Sequence, residues 1–466
     1  MIRKYFLPIN ICIFISCIFS SCSKKLDGFS PDTSISENEI RPSDIPLLVN
    51  GVYSKMQGNP YYIYPMFDIY ADDVISIQGG TATRFNPQNY EACSVLPSDG
   101  FGIGSYYNSA YTAIGNANFI INFIRSRGLT SLNKELGEAL AIRAFSYYRL
   151  VDAFGGVIIT LGGDKDPADL KRVKNTEAEV YQRIFTDLTD AEILLPSFTT
   201  SHAMSKEALQ LLRARIHLNR GEKTEAKKYA ELVIGSAAVA LTSNFTSNFR
   251  YDNAGNKELL FRLHEGPLTY SYDKASMFLQ YSPGLPYRRP NGATGYGQTW
   301  LNTALVAAYE PGDVRAGMLK EQFASAAGKV VTFLMKHSAD TLQTTNPVVT
   351  YPMIRLSEAY LISAEVDARN GVVDVTRYNQ LRQKRNLAAK NNSDFAGAAA
   401  FLEEIEWERR REFVGESLRW QDMKRFGKAI PFLASKGQDE KRLLMPLPAA
   451  EIARNPNLKQ NPGYDF

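Results

Sequence analysis

The sequence predicts a mainly α-helical protein with long loops and a few short strands. Apolar residues recur at spacings of three and four through much of residues 41–235, which indicates helices that each bury one face. Residues 266–300 are instead rich in Gly, Pro, Tyr and Asn, so we expect long ordered loops there. Residues 258–264 and 329–336 have the character of short strands.

The composition limits the classes of protein to which the chain can belong. Of 466 residues, 44% are hydrophobic and 22% charged, close to the average of globular proteins. This excludes a disordered chain, a collagen and a polytopic membrane protein. Lys and Arg number 53 against 49 Asp and Glu, and no basic patch stands out, so nucleic-acid binding has no electrostatic support.

The N-terminus has the layout of a secretory signal peptide. Two basic residues precede a mainly apolar run at 5–19, which is shorter than the ~20 residues that a membrane span needs. Small residues before Cys22 resemble a bacterial lipobox, which predicts cleavage there and acylation, for example with palmitate. We expect a signal peptide at 1–21 and an acylated, polar tether at 22–40. An ordinary signal peptide with a chance cysteine is the alternative.

The cysteines agree with lipidation. Cys12 and Cys17 would leave with the signal peptide, and acylation of Cys22 would leave Cys93 as the remaining thiol. An intramolecular disulfide is then impossible. We expect Cys93 to be a buried small apolar residue.

Helix boundaries can be read at several points. A helix that includes 136–151 should stop at Phe154-Gly155-Gly156, and a second should run from about Thr176 to Leu195. Ser205 is a plausible N-cap for a helical hairpin that turns at Asn219-Arg220-Gly221. The segments 353–369 and 375–385 repeat this scheme. These pairs resemble tetratricopeptide units, although an exact 34-residue period is absent.

Several motifs in fixed order together resemble the SusD/RagB family of outer-membrane nutrient-binding lipoproteins. They are RAFSYYRL at 143–150, FGGV at 154–157, EVY at 179–181, IRLSEAYL at 354–361, ERRREF at 408–413 and MPLP at 445–448. With the tail, the resemblance extends from about residue 40 to the end. It implies an N-terminal helical region at 41–240 and a C-terminal region with ligand loops at 241–466.

The resemblance also implies a function. It predicts a SusD-like fold with tetratricopeptide-like helix pairs, anchored by lipid at the outer membrane and exposed at the cell surface. Such a protein captures an oligosaccharide, or a peptide in RagB-like members, and passes it to a SusC-like TonB-dependent transporter. No cofactor and no metal are expected.

The charged motif at 408–413 is interpreted as scaffold. Glu408, Arg411 and Glu412 can pair along one helix, while Trp407 and Phe413 should point to the core. A second charged set, Arg419, Asp422 and Arg425, should join helices.

Aromatic and fork-shaped polar side chains suit carbohydrate binding, since rings stack on sugars and planar groups bind hydroxyls. In the stretch 270–300 the candidates are Tyr281, Tyr287, Arg288, Tyr296 and Trp300, of which Trp300 is expected to be a free stacking platform. The resemblance adds Asp73, Arg84 and Asn86 from the earlier part of the chain. The alternatives are that the Tyr run around 61–70 is helix core and that Asp72-Asp73 is a solvated loop or helix cap.

Catalysis has little support in the sequence. The four His form no metal-binding pattern, and neither a phosphate-binding GxxxxGK[ST] loop nor a GxSxG nucleophile elbow occurs. We therefore expect a binding protein rather than an enzyme. A secreted hydrolase and a helical-repeat adaptor are the remaining alternatives.

Overall fold

The computed structural model describes residues 39–57, 66–76, 86–162, 171–250, 253, 255–264, 299–324, 328–336 and 350–464. The chain divides into two compact units, residues 1–45 and 46–466. In the described part of the first unit, the 3-10 helix Pro42–Asp44 is closed by a hydrogen bond of 2.9 Å from the Arg41 amide to Asp44 Oδ2.

Helices dominate the described residues, so the predicted mainly α class is confirmed. In chain order they are α1 (Ile45–Gln57), α2 (Met66–Tyr70), α3 (Pro87–Glu91), α4 (Ile103–Arg127), α5 (Asn133–Phe154), α6 (Glu177–Glu192), α7 (Lys206–Asn219), α8 (Lys223–Ile234), α9 (Thr303–Ala307), α10 (Ser357–Arg369), α11 (Thr376–Lys384), α12 (Ala398–Phe413), α13 (Arg419–Arg425), α14 (Ala429–Ser435) and α15 (Ala449–Arg454). Within this part of the chain, no helix has both the length and the apolarity to cross a bilayer.

The N-terminal ends of α6 and α7 form for local reasons. Thr176 accepts a hydrogen bond from the Glu179 amide, and the Glu179 carboxylate accepts one from the Thr176 amide, which satisfies two free donors at the start of α6. Ser205 caps α7 in the same way, accepting from the Ala208 amide at 3.1 Å. Gly221, with φ of 76°, then makes the turn to α8. The predicted start of α6 near Thr176, the predicted cap at Ser205 and the predicted turn are confirmed.

The predicted stop at Gly155-Gly156 is also confirmed, and both glycines are needed there. Gly155 adopts φ of 72°, and a Cβ at this position would lie 2.9 Å from Leu444 Cδ1. A Cβ on Gly156 would overlap the carbonyl oxygen of Asn175, where the chain returns toward α6. The double glycine thus ends α5 and lets two backbone segments approach closely.

Several helices pack against their neighbours in the chain. Helix α5 packs between α4 and α6, and α7 packs on α8. Helix α10 contacts α8, α11 and α12 and so connects the earlier helix pairs to the later ones. Since α5 is buried over most of its surface, it also buries charged side chains, which include Arg143 and Arg149.

The strands form three antiparallel pairs. They are β1 (Val74–Ser76) with β3 (Thr299–Leu301), β2 (Leu259–His264) with β6 (Thr350–Arg355), and β4 (Leu319–Ala324) with β5 (Lys329–Leu334). The predicted strands at 258–264 and 329–336 correspond to β2 and β5. Most of the loop region predicted at 266–300 lies outside the described residues, and its last two residues begin β3.

The prediction of one continuous helix at 353–369 is wrong for its first residues. Residues as far as Arg355 belong to β6, and α10 begins at Ser357. Pairing with β2 determines the difference: Ile354 lies opposite Phe261, and the Leu356 amide continues the ladder to the Glu258 carbonyl at 2.8 Å. A long-range partner therefore overrides the local helical pattern.

Cys93 is a free, buried thiol, as predicted. Its Sγ lies 3.6 Å from the Tyr70 carbonyl oxygen. Burial raises the pKa of this thiol to about 12, so it remains protonated and unreactive at neutral pH.

Candidate functional site

The β1–β3 pair brings together two segments that the sequence assigned to ligand binding. Ser76 lies opposite Thr299 and Ile75 opposite Trp300, in antiparallel register. Residues 77–85 follow β1 in the chain, and residues 265–298 precede β3. Both segments are therefore attached at the same end of this two-stranded sheet. Arg84, Tyr281, Tyr287, Arg288 and Tyr296 belong to these two segments and lie outside the described residues, as does Cys22.

Trp300 lies at the base of the predicted loop rather than on an open surface. It is 9% exposed and packs with Val331, Phe333 and Ile75. The expectation of a free ring face at Trp300 is therefore corrected: alternate residues of β1, β3 and β5 form one apolar cluster, and the indole fills it. Contact between Trp300 and a ligand stays a prediction.

Asp73 is held by a guanidinium group from the other end of the chain. Its Oδ1 lies 2.8 Å from Arg410 Nε and 2.6 Å from Arg410 Nη2, and the carboxyl group is 1% exposed. Its carbonyl also accepts a hydrogen bond from the Asn302 amide, just after β3. Neither the solvated loop nor the helix cap considered for Asp73 describes this arrangement, in which Asp73 fixes the β1–β3 pair to α12.

Asp72 makes the equivalent link to α13. Its two oxygens accept from Arg419 Nε at 2.6 Å and Arg419 Nη2 at 2.9 Å, a two-point contact that fixes the relative orientation of both groups. Arg419 Nη1 also donates to Glu406 at 2.9 Å. The predicted role of Arg419 in joining helices is borne out by this geometry.

Trp407 departs from its predicted burial. It is only partly buried, and the Arg410 guanidinium carbon lies 4.1 Å from its ring centroid. On a helix, residue 407 shares a face with residue 403, and Glu403 is exposed. Phe413 is buried as predicted.

Asn86 and the earlier aromatic residues have structural positions. Asn86 is exposed and caps α3, since its Oδ1 accepts from the Gln88 amide at 3.1 Å. Phe67 and Tyr70 are buried in α2, in agreement with the alternative of helix core for these two residues, whereas Tyr62 lies outside the described residues. A ligand role for Asp73, Arg84 and Asn86 stays a prediction.

A buried ion network is centred on α12, where the ERRREF motif supplies its central carboxylates. Glu412 accepts from Arg355 at 2.6 Å, from Arg385 at 2.7 and 2.9 Å and from Arg315 at 3.1 Å. Glu408 accepts from Arg315 and from Arg411 within the helix. These bonds join α12 to the residue just after α11, to β6 and to the segment before β4.

The network explains the state of its carboxyl groups. Desolvation would raise the pKa of Glu408, but the Arg315 and Arg411 guanidinium groups outweigh it and lower the pKa to about 2. The group therefore stabilises the fold above its unfolded pKa of about 4.3, and that contribution is lost as the pH falls toward 2. The helical spacing of Glu408 and Arg411 was visible in the sequence, whereas nothing there pointed to Arg315 and Arg385.

Asp68 is a buried carboxyl group beside this network, and its pKa is raised where that of Glu408 is lowered. It accepts hydrogen bonds from the Ser417 amide at 3.1 and 3.2 Å. Burial raises its pKa to about 8; the Ser417 amide opposes the shift, while Asp73 and Glu416 add to it. Asp68 is thus mainly protonated in the folded protein at neutral pH.

We expect the free energy of unfolding of Asp68→Asn to depend less on pH than that of the natural protein. Because the folded pKa exceeds the unfolded value of about 3.9, Asp68 lowers the free energy of unfolding as pH rises from about 4 to about 8, by at most about 1.4 kcal/mol per pH unit. Asn can still accept from Ser417 but does not titrate. Urea unfolding at pH 5, 6, 7 and 8 measures this, and parallel curves for both proteins would contradict it.

A family model described as starch-binding and associating with the outer membrane matches residues 29–218, and a model of the SusD family matches residues 234–440. SusD-like protein P2 of Formosa agariphila is 25% identical, with 91% of this chain and 92% of that protein covered. The starch-binding protein SusD of Bacteroides thetaiotaomicron is also 25% identical, over 74% of this chain and 76% of its own.

Solved structures agree with this relationship. A SusD superfamily protein from Bacteroides thetaiotaomicron superposes with a TM-score of 0.76 at 26% identity, covering 91% of this chain and 100% of that one. The two family models together match most of the described helices and the whole of the ion network. The chain therefore belongs to the SusD/RagB family.

Proposed function

We propose that this protein binds an oligosaccharide reversibly, without altering it, at the end of the β1–β3 pair. The observation that carries the proposal is the register of this pair, which joins the segments 77–85 and 265–298 to one rigid frame at adjacent positions. Asp73 and Asp72 fix that frame to α12 and α13. Binding residues on loops held by a rigid scaffold are a common arrangement.

The residue types of the two segments suit a carbohydrate. Tyr281, Tyr287 and Tyr296 offer ring faces for stacking, and Arg288 offers a planar group for hydroxyls. The name of the starch-binding relative supports the same ligand class. The absence of a recognisable catalytic motif in the sequence is the reason for proposing binding rather than hydrolysis.

Calorimetric titration against malto-oligosaccharides, β-glucan oligosaccharides and oligopeptides tests the ligand class. We expect saturable binding to at least one oligosaccharide. Tyr287→Ala and Tyr296→Ala should each weaken it about fivefold, the effect of losing ~1 kcal/mol of stacking. Tyr181→Ala is the control, since Tyr181 lies on α6 under Arg220, and should leave affinity unchanged. Binding of peptides alone would overturn the carbohydrate proposal in favour of a RagB-like peptide-binding protein, and shortened products would favour a hydrolase.

We also propose delivery of the ligand to a SusC-like TonB-dependent transporter, with the protein anchored in the outer membrane through acylated Cys22. Metabolic labelling with a palmitate analogue should mark the natural protein and leave Cys22→Ala unmarked. Purification from native membranes in mild detergent should recover the transporter. An unlabelled protein that purifies alone would contradict this part of the proposal.

A further inference from the structure

A cavity of about 50 Å³ lies among α2, α4, α5, α7 and α13, next to β6 and the segment between α12 and α13. The side chains that matter for its chemistry are Arg149, Arg215 and Glu416, together with the Tyr106 and Tyr148 rings. None of the lining residues belongs to the β1–β3 pair or to the segments 77–85 and 265–298.

Arg149 is an under-compensated cation in the wall of this cavity. It is 5% exposed, its Nη1 donates to the Met56 carbonyl at 2.9 Å, and its guanidinium carbon lies 4.4 Å from the Tyr106 ring centroid. Its Nη2 is buried and has no hydrogen-bond partner. Among the described residues, no carboxylate lies within ion-pair distance of Arg149, whereas Arg143 on the same helix binds Asp187 at 2.7 Å.

The other charges around the cavity do not supply the missing partner. Glu416 accepts from Lys336 at 2.8 Å and from Arg355 at 2.8 Å, so both of its oxygens are engaged. Arg215 binds Glu358 through Nε and Nη2, and its Nη1 makes no hydrogen bond within the described part of the chain. The wall therefore presents more donors than acceptors.

A guanidinium group keeps its proton in proteins, so burial cannot neutralise Arg149. An uncompensated buried charge is costly, and the usual solution is a counter-ion or water with the correct hydrogen bonds. A space of 50 Å³ is several times the ~10–15 Å³ that one water needs. It is large enough for an anion of the size of chloride.

We propose that this cavity is a binding site for a small inorganic anion, with Arg149 Nη2 as its principal donor and Arg215 as the second cationic wall. The anion completes the hydrogen bonding of a helix that is buried on nearly all sides. It would stabilise the packing of α5 against α2 and α4. This inference does not depend on the identity of the nutrient.

Bromide is the probe, because its anomalous scattering distinguishes it from water. Crystals of the protein soaked in sodium bromide should show an anomalous peak within hydrogen-bond distance of Arg149 Nη2. In solution, the melting temperature of the protein should rise by a few degrees when chloride replaces gluconate at equal ionic strength, since a ligand that binds only the folded state stabilises it.

Variants make the test specific. Arg149→Met should remove both the bromide peak and the chloride-dependent rise, whereas Arg149→Lys should keep both. Arg125→Met, on the exposed face of α4, is the control and should respond to chloride as the natural protein does. A cavity that holds water alone would overturn the proposal, as would a chloride effect that persists in Arg149→Met. If Arg149→Met does not fold, the bromide map of the natural protein decides.

Discussion

Replacing Glu412 by Gln is expected to lower the free energy of unfolding by about 3–5 kcal/mol, because it removes one charge from the centre of a buried ion network. The Glu412 carboxylate receives hydrogen bonds from Arg315, Arg355 and Arg385, all fully buried. An amide would leave these guanidinium groups under-compensated and would turn its own NH₂ toward a donor. Guanidinium chloride unfolding followed by circular dichroism measures the change.

Glu403→Gln is the matched control for this variant. Glu403 lies on the same helix, α12, but is exposed to solvent. Its replacement should change the free energy of unfolding by less than about 0.5 kcal/mol. Equal effects of the two variants would show that the network contributes no more than a surface charge.

The second large effect is expected for Asp187→Asn, which should destabilise the protein by about 3 kcal/mol. Asp187 receives two hydrogen bonds from Arg143, at 2.7 and 2.8 Å, in a nearly dry contact between α5 and α6. Without this charge, Arg143 keeps the side-chain oxygen of Asn118 as a partner, at 2.7 Å, and no other carboxylate among the described residues pairs with it. Denaturant unfolding again provides the measurement.

Helix α6 contains its own control. Asp190, three residues further along, pairs with Arg125 at 2.8 Å, but these side chains are 41% and 48% exposed. Asp190→Asn should therefore cost less than about 1 kcal/mol, the usual range for a surface pair. A loss for Asp190→Asn as large as that for Asp187→Asn would refute the argument from burial.

Both predictions concern the same property of the fold. Its helices are buried so extensively that charged residues on α5 and α12 lie inside, where ion pairs such as Arg143 with Asp187 and Glu412 with Arg385 compensate them. Breaking one member of such a set is costly because the other members stay buried. The ion networks thus make the frame that carries the β1–β3 pair sensitive to single changes.

The helical half of the architecture was predictable from the sequence. The capping residues Thr176 and Ser205, the turn at Gly221 and the stop at Gly155 all act through atoms within a few residues. Periodicity gave the buried faces for the same reason, since residues three and four apart lie on one side of a helix.

The candidate site was predictable only as a pair of segments. The sequence identified aromatic and polar residues around 270–300 and near Asp73, but not the strand pairing that makes the segments neighbours. Nor did it indicate that Trp300 fills an apolar cluster or that Trp407 is only partly buried on α12. Each of these depends on which distant element covers the side chain.

The sequence by itself determined the mainly α fold class, the helix ends and the family, because these follow from local residue patterns and from the order of motifs along the chain. The tertiary structure alone decided the partners of the buried charges and the register of the strands. Asp73 and Arg410 are 337 residues apart in the chain, and their contact exists only because the intervening helices pack in one way. Burial then makes that contact obligatory, since neither charge can be left in an apolar interior without the other.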